Sequence, residues 1–72
     1  MKVRRDEADQ FVPGALVEAM VEDPEMDHYR GDRGTILVRD ALGDLHVRWD
    51  KGLLDVWHVP DAQDLLRVIR EP

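Results

Sequence analysis

Apolar residues in this chain come in short runs that alternate with polar ones and are cut by glycine and proline. Residues 45–50 give the cleanest pattern, with Leu45, Val47 and Trp49 against His46, Arg48 and Asp50. A period of two with β-branched and aromatic side chains predicts a strand with one buried face. Residues 34–40 are β-rich through Thr35, Ile36, Leu37 and Val38, and residues 41–44 read as a turn. Residues 15–21 alternate loosely, Val17, Ala19 and Val21 against Leu16, Glu18 and Met20. Asp50-Lys51-Gly52 predicts a turn whose glycine takes a positive φ. Residues 53–59 follow as a strand, with Leu54, Val56 and His58 on one face and Leu53, Asp55, Trp57 and Val59 on the other. Both faces are partly apolar, so the pattern leaves open which one points inward. Pro60 stops this strand, residues 61–64 suit a single helical turn, and residues 65–69 a last short strand.

Short strands at such spacing predict an all-β barrel or sandwich. One long loop, residues 22–32, follows the first strand, the next connections are tight, and a helical turn precedes the last strand. This is the layout of a small five-stranded SH3-like barrel. The competing arrangement is a short α+β domain with helices at 15–21 and 62–70. Pro13-Gly14 marks a break, which sets a polar N-terminal segment, 1–12, loose or briefly helical, apart from a barrel domain at 13–72. Seventy-two residues make one thin-cored domain, since a chain this short buries only about 60% of its unfolded surface.

Charge changes the picture next. Sixteen acids against ten bases give a net charge of −6, which weighs against general attraction to nucleic-acid phosphates. The distribution is uneven. Glu18, Glu22, Asp23, Glu25 and Asp27 occur without an intervening Lys or Arg, and Arg30, Arg33 and Arg39 come directly after. Asp6, Glu7 and Asp9 follow the basic start, so an apolar signal-peptide centre is missing, and no apolar run approaches a membrane span. The expectation is a soluble, cytoplasmic chain with no membrane partner.

Chemistry is sparse. The chain has no Cys and no Ser, and Thr35, its single Thr, sits inside a strand pattern, so covalent catalysis lacks an evident nucleophile. His28, His46 and His58 show no metal-ligand spacing, although His46 and His58 fall on neighbouring strands near Asp44 and Asp55. Gly31 and Gly34 lack the Lys-Ser/Thr and the helix of a phosphate loop. The expectation is no catalytic residues, no metal and no cofactor.

The run Gly31-Asp32-Arg33-Gly34-Thr35-Ile36, followed by Leu45-His46-Val47-Arg48-Trp49-Asp50-Lys51-Gly52, resembles an uncharacterised family of small bacterial and phage SH3-like domains. That family's pattern is a strand, an Asp-Pro loop, Gly-Thr-Val, a glycine turn, then Ile-x-Val-x-Trp-Asp-Asn-Gly. Here Asp23-Pro24, Gly34-Thr35-Ile36, Gly43, Leu45, Val47, Trp49, Asp50 and Gly52 correspond. The resemblance spans about residues 14–66. It departs at Arg39, where the pattern has an aliphatic residue, and at Lys51, where it has Asn; Trp57-His58 has no counterpart. It implies a fold and a phage or mobile-element origin, with no established activity. The layout is also similar to SH3-like accessory electron-transport subunits, which dock a partner without doing chemistry, and its glycine-rich start to KOW-type barrels.

These readings converge on a non-catalytic module that binds another protein, one form of which docks on or inhibits a host protein. Glu22, Asp23, Glu25 and Asp27 would steer, and Tyr29 and Trp57 would anchor. Such a surface favours a basic or Pro-rich segment. The alternatives are a nucleic-acid module using Arg30, Arg33, Arg39, Arg48 and Lys51, an accessory docking subunit of a larger enzyme, and a homodimer joined through Leu53 and Trp57.

Overall fold

The computed structural model describes residues 10–72; the expectation for residues 1–9 of the N-terminal segment lies outside the described residues. The domain is all-β, as the pattern predicts. Strands β1 (Leu16–Ala19), β2 (Arg33–Arg39), β3 (Leu45–Trp49), β4 (Leu54–Trp57) and β5 (Leu66–Arg70) form one antiparallel sheet in the order β4-β3-β2-β1-β5. Among the described residues a single α-helix, α1 (Val59–Leu65), leads directly into β5.

Two expectations need correction. The sheet does not close into a barrel: among the described residues β4 and β5 are unpaired edges. The helical turn is also longer than 61–64. Pro60 opens it instead of merely ending a strand, because a first-turn N–H has no helical partner to lose. The competing helix at 15–21 is strand β1, and the one at 62–70 divides between α1 and β5.

The core lies on one face of the sheet, where Val17, Ala19, Ile36, Leu45, Val47 and Trp49 are buried, and Ala62 of α1 is buried with them. Phe11 is buried with them and Val12 packs against the cluster, so the domain begins ahead of the Pro13-Gly14 break. Register shifts at Leu16/Val17 and at Ile36/Val38 interrupt the ladders, the local irregularity by which a sheet bends. Gly34 lies opposite Trp49, and a Cβ there would stand 2.9 Å from the Arg48 carbonyl oxygen and 3.0 Å from the indole. Its lack of a side chain is what lets Trp49 lie on β2. Gly52 has φ +96° in the turn where the sequence requires a positive value.

Strand β4 resolves the ambiguity left by its pattern. Leu54 and Val56 face solvent, and Asp55 and Trp57 turn inward, each half-buried. No helix among the described residues is long and apolar enough to cross a membrane.

Candidate docking surface

Strand β1 ends in a loop whose neck is closed by an isolated bridge. The Asp23 N–H donates to the His28 carbonyl at 2.7 Å, and the His28 N–H donates to the Asp23 carbonyl at 3.0 Å. Between them Pro24–Met26 makes one 3₁₀ turn, with proline in its opening position. Asp27 then takes φ 59°, a left-handed conformation that Asp tolerates better than most residues. The result is a short protrusion on which Glu22, Asp23, Glu25 and Asp27 are all exposed.

His28 goes the other way. It is 4% exposed, and its ring centroid lies 5.3 Å from that of Trp49 and 4.9 Å from that of Trp57. Its Nε2 is 2.7 Å from Asp55 Oδ2. The other carboxylate oxygen of Asp55 accepts both indole N–H groups, Trp49 at 3.0 Å and Trp57 at 2.7 Å. Buried indoles need an acceptor, and one carboxylate here serves two of them and a histidine. The bond to Asp55 puts a proton on His28 Nε2, which leaves Nδ1 as a buried nitrogen with no partner. An unsatisfied buried polar atom costs about 1–3 kcal/mol, a cost that the two ring contacts and the Asp55 bond offset.

A second clamp lies at the far side of the loop. Lys51 Nζ meets Asp32 Oδ2 at 2.6 Å, bonds the Asp27 backbone carbonyl, stands 3.8 Å from the Asp27 carboxylate and lies 5.1 Å from the Tyr29 ring centroid. The hydrogen bond to Asp32 raises the Lys51 ammonium above its ordinary pKa, and the same bond lowers the Asp32 carboxyl.

The two expected anchors have different neighbours. Tyr29 is 42% exposed beneath Lys51. Trp57 is turned inward against His28, with its flank in a groove of about 170 Å3 that Asp23, Met26, Val56 and Leu65 also line. Leu53 likewise packs partly buried against the core. Three of the basic residues, Arg33, Arg48 and Lys51, lie at one end of the β2–β3 ladder, and Arg33 and Lys51 line one hollow together with Asp32 and Asp50. Arg33 stands 3.6 Å from Glu18, which also holds Arg67 at 2.7 Å. Arg48 lies on the outer sheet face opposite Thr35, Arg39 is at the other end of the β2–β3 ladder opposite Leu45, Arg30 is exposed at the end of the loop, and Lys51 is engaged with the acids.

Each histidine has its own aspartate. His46 Nε2 lies 2.9 Å from Asp40 Oδ2, and His58 Nδ1 lies 2.8 Å from Asp44 Oδ1. The His46 bond lowers the Asp40 carboxyl, and the Asp44 bond raises His58. Among the described residues no group of three or more His, Asp or Glu converges on a metal-sized site. The residues that sequence reasoning passed over are His28 and Asp55 acting together. The available signal was an acid placed between Leu53 and Trp57 on the face that carries the indoles. Comparison with family models, curated proteins and solved structures finds no match to this chain.

Proposed function

We propose that this domain is a non-catalytic protein-docking module that presents its acidic loop to a basic segment of another protein. The observation that carries the reading is the contrast within the loop: four exposed acids on a protrusion whose base is fixed by buried His28 and flanked by Lys51. Ordering a loop in advance removes an entropic cost from binding. Clustered charge of one sign speeds encounter with a partner of the other. In the concrete form that the family resemblance suggests, a phage or mobile-element protein in the cytoplasm, the partner is a host protein; an accessory subunit docking on a larger enzyme would use the same surface.

The test replaces Glu22→Gln, Asp23→Asn, Glu25→Gln and Asp27→Asn together. The variant keeps the thermal unfolding of the wild type but loses a protein that the wild type captures reproducibly, identified by mass spectrometry. A captured set unchanged by neutralisation would overturn the reading. So would binding to duplex DNA that weakens steeply with salt.

A further inference from the structure

The edge of the sheet names the form that the partner takes. The Trp49 N–H donates to the Leu53 carbonyl at 2.8 Å and closes the β3–β4 hairpin. From that bond the ladder alternates, so Asp55 and Trp57 aim their N–H and C=O at β3, and Leu54 and Val56 aim theirs away. Nothing lies beyond β4 in the sheet among the described residues. The strand also lacks the usual protections of an edge, a lysine or a proline. Its one charge, Asp55, is taken up by the two indoles and His28. Leu54 and Val56 are 64% and 55% exposed.

Space exists on both sides of this edge. On the inner side is the groove beside Trp57, with Met26 and Asp23 of the acidic loop on it. On the outer side a hollow of about 160 Å3 is lined by Leu37, Leu54 and Val56. A second copy of the chain is a poor occupant. Pairing β4 with β4 would bring together two molecules of net charge −6 with an acidic loop beside each paired edge. Building on the docking reading, we infer that β4 accepts an extended basic and apolar segment of the partner as a sixth strand, with Lys or Arg side chains toward the acidic loop and apolar ones over Leu54 and Val56.

The probe is a synthetic heptapeptide alternating lysine and valine, added to the 15N-labelled protein. Binding should slow amide exchange at Leu54 and Val56 by about tenfold or more. A fully backbone N-methylated peptide, with the same charges and side chains, should not bind. Val56→Pro removes an outward N–H at a position where edge strands accept proline and should abolish binding; if that variant does not fold, the methylated peptide carries the comparison. Equal binding of the methylated peptide, with shifts confined to residues 22–27, overturns strand addition and leaves the acidic-loop reading standing. No binding of either peptide, even at low salt, overturns both. A dimer in light scattering whose Leu54 and Val56 amides are protected without peptide overturns the inference in favour of self-pairing.

Discussion

Two acid-rich connections of the protein differ in how they are held on the sheet. In the 40–44 turn Asp40 Oδ1 accepts the N–H groups of Leu42 and Asp44, and Oδ2 meets His46, all within six residues. The 22–28 loop bonds its own groups at the neck, between Asp23 and His28, and in the 3₁₀ turn, where the Met26 and Asp27 N–H groups donate to the Asp23 and Pro24 carbonyls. Its place on the sheet is set by Asp55 and Lys51, far downstream. A locally tied turn forms wherever its sequence goes. A loop tied at a distance is only as well placed as the strands that hold it, so its acids have a fixed geometry only in the folded domain.

The strongest way to break this contrast is Asp55→Ala. It strands two indole N–H groups and a buried histidine, and should cost about 3 kcal/mol in urea unfolding. The 40–44 turn should keep its amide shifts while the 22–28 loop loses its own. His28→Ala should cost about 2 kcal/mol, since it opens a cavity between two tryptophans but leaves their acceptor in place. Lys51→Met should shift the unfolding midpoint little, because its contacts are exposed. Its readout is the Asp32 carboxyl, which a carbon-detected titration should find returned toward the ordinary carboxylate range. In the wild type Asp32 is lowered, so its contribution holds above the unfolded value near 3.8 and fades as pH falls through the folded one.

The smallest effect concerns His58. Its pKa lies above 6.5 because of Asp44. The pair's contribution is therefore complete below about pH 6.5 and disappears as pH rises through the higher folded value. Asp44→Asn should bring the His58 proton titration back toward 6.5, with the 22–28 loop unaffected.

The fold was largely legible in the sequence because its signals are local. Alternation marked β3, glycines marked the turns, and a single buried face fixed the inward set Leu45, Val47 and Trp49. Closure was not legible, since whether two edges meet depends on sheet curvature and no residue pattern records it. β4 was ambiguous for a physical reason: its inward face carries an acid, which a hydropathy pattern scores as solvent-facing, and its outward face carries Leu54 and Val56. The acids of the 22–28 loop could be read directly. Their placement could not, because a lone His28 in an acidic run looks like one more polar loop residue until Asp55 and two indoles are brought to it.

The most direct test is amide hydrogen exchange at Met26, Asp27 and His28, whose N–H groups bond Asp23 and Pro24 carbonyls. Measured in the wild type and in His28→Ala, it should show these three amides protected in the first and exchanging near the open-chain rate in the second, with Gly43 and Asp44 alike in both. Free exchange of the three amides in the wild type, or protection that survives removal of His28, would contradict a loop held in place by its buried histidine.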